Sequence, residues 1–395
     1  MLESIAIIVL SSLILGSVFK KLRLPPLLAM LTIGIVFGPF VLDIIDQKLL
    51  DISYELRQLA LVIILTRAGL SLNLTQLRNI GRPALLMSFV PALCEIMAYV
   101  LFATLLMGVS VTDALLIGSV MAAISPAVVV PKMLKLKELG YDSVSKVPSI
   151  ITASSSVDDV FVIVLFTAFV AMAGGDGFNL NVLWHIPVSI LLGIVVGVLI
   201  GKILSTVMKK CNLSNSIKVV VLLCISVGLL WLENLVEVVP YSALLSIISL
   251  AVIINTDNPS TAKPLSDKYA KLWIVAEIML FALIGAEVDI SYALDSGAII
   301  VVVILLSLLI RMLGVFLALL GSGIAKKERL FCAIAYTPKA TVQAAIGGVA
   351  LAMALPIGQT VLSFAVIGII ITAPLGAFLI EISYKKLLPP LLSEK

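Results

Sequence analysis

The chain has 395 residues, 61% hydrophobic and 13% charged, with a formal net charge of +4. Mean hydropathy is +1.21. These values exclude a soluble globular domain and fit a polytopic membrane protein, in which the positions of the basic residues say more than their sum.

A bilayer-crossing helix needs about 20 apolar residues. Thirteen segments qualify: 2–20, 26–45, 57–73, 83–107, 112–134, 147–173, 182–207, 216–233, 238–255, 270–289, 297–321, 328–353 and 357–385. They are numbered 1 to 13 here. The expected fold class is an all-α polytopic membrane protein, residues 1–395 forming a single transmembrane unit. The first run is followed by Lys20 and Lys21, not preceded by charge, so no cleavable signal is expected. Residues 46–56 read as a charged connector and 256–269 as a turn-rich one. Cys94, Cys211, Cys224 and Cys332 show no ligand spacing and read as small hydrophobes. His185 is the single histidine and reads as structural. The Asn-x-Ser/Thr triplets at Asn73 and Asn212 fall on the expected inside and carry no glycosylation signal.

Most of the 27 lysines and arginines follow odd-numbered segments or lie in the tail, from Lys20, Lys21 and Arg23 through Arg78 to Lys385, Lys386 and Lys395. Only Lys48 and Arg57 follow even-numbered ones. The bias predicts an outside N-terminus and a cytoplasmic C-terminus. Three basic residues fall within segments: Arg67, Arg311 and Lys339.

Two motifs recur seven segments apart. Leu65-Thr-Arg-Ala-Gly-Leu-Ser-Leu resembles Leu283-Ile-Gly-Ala-Glu-Val-Asp-Ile, and Ala123-Ile-Ser-Pro-Ala-Val resembles Ala335-Tyr-Thr-Pro-Lys-Ala. An odd offset makes the copies antiparallel, so helices 1–6 and 8–13 are expected to form an inverted repeat of the kind used for alternating access. Ser125-Pro126 and Thr337-Pro338 lie mid-segment in helices 5 and 12. Proline frees backbone carbonyls, and in lipid such breaks persist only where buried or wet. Two broken, crossing helices are therefore expected, with Ser119, Lys339, Thr341 and Gln343 close by.

The densest signal is Thr152-Ala-Ser-Ser-Ser-Val-Asp158-Asp159, running into an apolar stretch. Each aspartate costs roughly 2.5–3.5 kcal/mol at a bilayer centre. The adjacent pair, with Ser154, Ser155 and Ser156 before it, therefore reads as a cation site. Neighbours on a helix point about 100° apart, so the two carboxylates are expected to do different jobs. Their shared burial favours coupled titration, one carboxylate holding either a proton or Na⁺. Glu95 and Arg311 suggest a buried pair, with Arg311 facing Asp158 as the alternative. Arg67 and Glu287 suggest a second pair. Lys339 is expected at the helix 12 break, standing in for a cation beside the C-terminal dipole. Glu277 falls toward the cytoplasmic end of its segment, where water can solvate it.

Ala123-Ile-Ser-Pro-Ala-Val-Val-Val-Pro, Ser154-Ser-Ser-Val-Asp-Asp, Leu283-Ile-Gly-Ala-Glu-Val-Asp and Thr337-Pro-Lys-Ala-Thr-Val-Gln-Ala together resemble the monovalent cation/proton antiporter superfamily. The Asp-Asp branch fits best, through bacterial relatives of animal NHA-type sodium/proton antiporters. The resemblance spans nearly the whole chain. It implies a homodimer in a lipid bilayer, on this reading a bacterial inner membrane, with neither cofactor nor nucleic acid. It implies a core of helices at about 57–173 and 270–385, moving like an elevator against dimerisation helices at about 1–45 and 182–255. It implies Asp159 as the principal carboxylate for Na⁺ or Li⁺ and H⁺, Asp158 as its partner, and Arg311 facing that site with Glu95 able to pair with it. Ser155 and the carbonyls around Ser125 become candidate ligands.

Two departures matter. Ile124-Ser125-Pro126 lacks the carboxylate many relatives carry at the helix 5 break. Asp-Asp stands where the electroneutral branch has Asn-Asp, which favours two protons per cation and an electrogenic cycle. Arginine at 311 does not release a proton at working pH. The alternatives are K⁺/H⁺ antiport or electroneutral exchange, then a sodium-coupled symporter or a cation channel. An intramembrane aspartyl protease needs its aspartates on two facing helices, so an enzyme is not expected.

Overall fold

A computed structural model describes residues 1–22, 24–72, 81–174, 180–211, 213–235 and 241–389. Residues Arg23, Asn73, Arg78, Asn212 and Lys395, and the side chains of Ser156 and His185, lie outside that description.

Helices are the only regular elements among the described residues. In order, α1 is Leu2–Lys21, α2 Pro26–Phe37, α3 Gln47–Asp51, α4 Ser53–Ser71, α5 Arg82–Met87, α6 Val90–Met107, α7 Val111–Ala122, α8 Pro126–Glu138, α9 Tyr141–Ser145 and α10 Val147–Gly174. Then come α11 Leu180–Lys210, α12 Asn215–Leu235, α13 Ala243–Asp257, α14 Pro259–Ala286, α15 Ile290–Ala318, α16 Lys326–Ala335, α17 Thr341–Ile346, α18 Val349–Ala352 and α19 Gly358–Leu387. Among the described residues, nine helices are long and apolar enough to cross a membrane, and three shorter apolar ones accompany them. Lipid offers the backbone no hydrogen bonds, so helices that pair every group internally are the stable form of such segments.

Side chains are sorted as a bilayer demands. Leu10, Leu105, Trp231 and Phe378 point outward, while Glu95, Asp158, Arg311 and Lys339 are all 0% exposed. Polar residues at segment ends start helices: the side chains of Ser110, Ser242 and Asp289 each accept a backbone N–H of the first turn of α7, α13 and α15.

Two sets of helices emerge from the packing. In one, α14 lies along α2 and α4, and α13 lies between α4 and α11, with α1 and α12 alongside. In the other, α15 lies along α6, α7 packs between α6 and α10, and α19 runs against α15 and α16. Close approach in the first set depends on small residues. Gly193, Gly197 and Gly201 recur every four residues along one stripe of α11, and a Cβ on Gly197 would strike the Ser246 carbonyl of α13.

Three local expectations fail. Residues 256–269 are not a turn-rich connector: Pro259 starts α14 at a position where its missing N–H costs nothing, and the helix runs on through Pro264. The 46–56 connector contains α3, capped by Asp46, which accepts the Lys48 N–H at 2.9 Å. Arg57 is not a loop residue; it sits in α4 and is 2% exposed.

Candidate functional site

The site is assembled where two helices stop in mid-bundle. Between α7 and α8, Ala123 and Ser125 are extended, because Pro126 has no N–H to continue the ladder. Between α16 and α17, Tyr336 to Ala340 leave the helix around Pro338. The two breaks touch: the Ser125 N–H donates to the Pro338 carbonyl at 2.8 Å. From α17, Gln343 Nε2 donates to the carbonyls of Val120 (3.1 Å) and Ala123 (2.9 Å), covering the frayed end of α7.

Arg311 of α15 ties the crossing together. Its Nε donates to the Tyr336 carbonyl at 2.8 Å, and Nη1 donates to the Ala122 carbonyl and to Glu95 Oε2, the latter at 2.6 Å. Nη2 lies 3.4 Å from Asp158 Oδ2. The expected Glu95–Arg311 pair is present, and so is the alternative contact with Asp158. A planar fork of donors serves several acceptors at once, which a point-charge ammonium cannot. Lys339 lies at the second break, between α16 and α17, as expected. Its Nζ lies 2.6 Å from Glu95 Oε2, so one glutamate oxygen takes two cations.

The adjacent aspartates of α10 diverge as helix geometry requires. Asp158 turns inward, accepting the Ile124 N–H of the break at 2.9 Å beside Arg311. Asp159 turns the other way, onto the wall of a cavity of about 460 Å³. Its Oδ1 is buried and has no hydrogen-bond partner among the described residues. Taken with their ordinary charges, Glu95, Asp158, Arg311 and Lys339 cancel. Asp159 is left over.

Other expectations sort themselves against this geometry. Ser155 is buried, and its hydroxyl donates back to the Thr152 carbonyl at 3.1 Å. The Ser125 hydroxyl is buried without a partner among the described residues. Neither lines the cavity; Thr152 and Thr341 do. The expected Arg67–Glu287 pair is absent. Glu287 takes Arg57 at 2.8 Å and the Ser53 hydroxyl at 2.7 Å, because Arg57 sits near the start of α4, level with the end of α14. Arg67 lies more than two turns further along α4 and lines the cavity, with Glu277 of α14 on the same wall. Glu277 is part-exposed there, and a carboxylate within a membrane segment is also a functional signal by default.

A family model described as "Sodium/hydrogen exchanger, transmembrane" matches residues 6–384. Sodium/hydrogen exchanger 9B2 of Xenopus tropicalis is 34% identical over 347 residues, covering 85% of this chain and 64% of that protein. Sodium/hydrogen exchanger 9B1 of Homo sapiens is 33% identical over 407 residues, covering 97% of this chain and 77% of that protein. The chain thus spans just under two thirds of the frog protein and about three quarters of the human one. Among solved structures, that of the sodium proton antiporter MjNhaP1 from Methanocaldococcus jannaschii at pH 8 superposes with a TM-score of 0.83 at 19% identity, over 98% of this chain and 99% of that one. At that identity the likeness concerns the fold. The two exchanger relatives are animal proteins, so they lend nothing to a bacterial inner membrane.

Proposed function

The chain belongs to the sodium/hydrogen exchanger family, transmembrane sodium/proton antiporters and not enzymes, and on that premise we infer that Asp159 is the carboxylate that carries Na⁺ and H⁺ in turn. One observation carries the reading. Of the four carboxylates and cations at the crossing, Asp158 among them, every charge has a partner; Asp159 has none among the described residues and faces the cavity. A carboxylate without a fixed counter-ion is neutralised either by a bound cation or by a proton, never by both, and mutual exclusion at one oxygen pair is the essence of antiport. Li⁺ meets the same requirement. Thr152 and Thr341 lie on the same wall.

The engagement of Asp158 bears on stoichiometry. An aspartate held by Ile124 N–H and Arg311 is poorly placed to release a second proton on each cycle. The geometry therefore supports one proton per cation, against the electrogenic two-proton reading that the Asp-Asp pair alone suggests. For alternating access, the packing supports a moving body of α5–α10 and α15–α19 sliding against the other set, which as a dimer would stand fixed in the bilayer. On that division residues 53–71 and 259–286 go with the fixed set, not with the moving core first expected. The cytoplasmic side is taken as the side rich in lysine and arginine.

The test is Asp159→Asn in proteoliposomes. Na⁺-driven dequenching of a pH dye is expected to vanish while the protein stays folded; retained exchange would remove Asp159 from the mechanism. In the native protein, a K⁺/valinomycin potential of 100 mV acts on a net transported charge with about 2.3 kcal/mol. One-for-one exchange leaves the Na⁺/H⁺ reversal gradient unmoved, whereas a two-proton cycle shifts it about fiftyfold.

A further inference from the structure

The cavity that reaches Asp159 holds a charge of the wrong sign for its purpose. Arg67 lines its wall, and a bare guanidinium there repels any cation on its way in. Glu277 lines the same wall from the facing helix α14. The two interact electrostatically, yet no salt bridge joins them among the described residues, whereas Glu95 at the helix crossing lies 2.6 Å from both Arg311 and Lys339. Each is part-exposed and lines the cavity. This is the arrangement of a charge balance in a passage rather than of fold glue.

We propose that Glu277 is a positioning residue for cation entry: it offsets Arg67, so that the cavity delivers a cation to Asp159 and does not repel it. The proposal rests on the reading of Asp159 as the ion-carrying carboxylate. A sphere of the cavity's volume is about 10 Å across, and a unit charge at that distance with an effective dielectric of about 20 to 40 changes local cation occupancy roughly four- to twentyfold. Since Glu277 does not hold the ion at Asp159, the effect falls on the apparent KM for Na⁺ and leaves the maximal rate nearly intact.

The experiment uses the full chain in proteoliposomes, with Na⁺ as the probe and pH-dye dequenching as the readout. Glu277→Gln is expected to raise KM for Na⁺ roughly four- to twentyfold. Arg67→Gln is expected to lower it by a similar factor, and the double substitution to return it close to the native value. Glu277→Asp, which keeps the charge, should stay near native, and this separates electrostatics from packing. The shifts should shrink as choline chloride is added, because screening weakens charges across a wet cavity. An unchanged KM in Glu277→Gln overturns the proposal. So does a KM raised by Arg67→Gln, or one raised as much by Glu277→Asp as by Glu277→Gln. Retained Na⁺-driven exchange in Asp159→Asn would instead refute the underlying reading of Asp159.

Discussion

Asp158→Asn separates the two aspartates most directly. In the native protein Arg311 and Lys339 are balanced by Glu95 and Asp158, all four 0% exposed. The substitution leaves this buried cluster with one excess positive charge. Breaking a buried pair costs about 3–5 kcal/mol. Here the ion pair that breaks is the longer one, 3.4 Å, while Glu95 stays at 2.6 Å from Arg311. An asparagine oxygen can also still accept the Ile124 N–H. The expected cost is therefore about 2–3 kcal/mol. For a chain of this size that is a fall in melting temperature of roughly 2–6 °C, read by tryptophan fluorescence in detergent. Exchange should persist with reduced yield, because Asp159 is untouched. The mirror variant, Asp159→Asn, removes an uncompensated buried charge and should melt no lower than native while losing exchange entirely. If Asp158→Asn melts like the native protein and is dead for exchange, Asp158 carries ions and the charge accounting at the crossing is wrong.

Arg311→Ala should cost at least about 3–5 kcal/mol, and the swap Glu95→Arg with Arg311→Glu should recover none of it. A carboxylate at that position would face Asp158 and the carbonyls of Ala122 and Tyr336; a thermally rescued swap would show that Arg311 serves Glu95 alone. Gly348→Ala should destabilise strongly, since its Cβ would collide with the Arg57 guanidinium that is buried against Glu287; unchanged melting would mean that α4 and α14 yield readily there. Because Na⁺ and H⁺ compete for one carboxylate, the apparent KM for Na⁺ on the acid side should rise by up to about tenfold per pH unit. A KM independent of pH would place the two ions on different groups.

Much of this was legible in the chain itself. Apolar run length announced a polytopic helical protein, because a bilayer leaves a spanning backbone few other choices. Pro126 and Pro338 marked both helix breaks, since proline's missing N–H acts within a single turn. The cost of adjacent aspartates in a membrane segment singled out Asp158 and Asp159 before any fold was known. Partners were another matter. Glu287 pairs with Arg57 and not Arg67, ten residues on, because the level at which α4 meets α14 is set by packing. That Arg311 reaches Glu95, Asp158 and two break carbonyls together depends on four helices converging, and composition carries no trace of it. Which aspartate faces the cavity was also open, since a helix separates neighbours by about 100° but its rotation about its own axis is fixed only by what surrounds it. Sequence determined that charges are buried and which residues carry them; tertiary structure alone decided which of them cancel, and so which one is left for the ion.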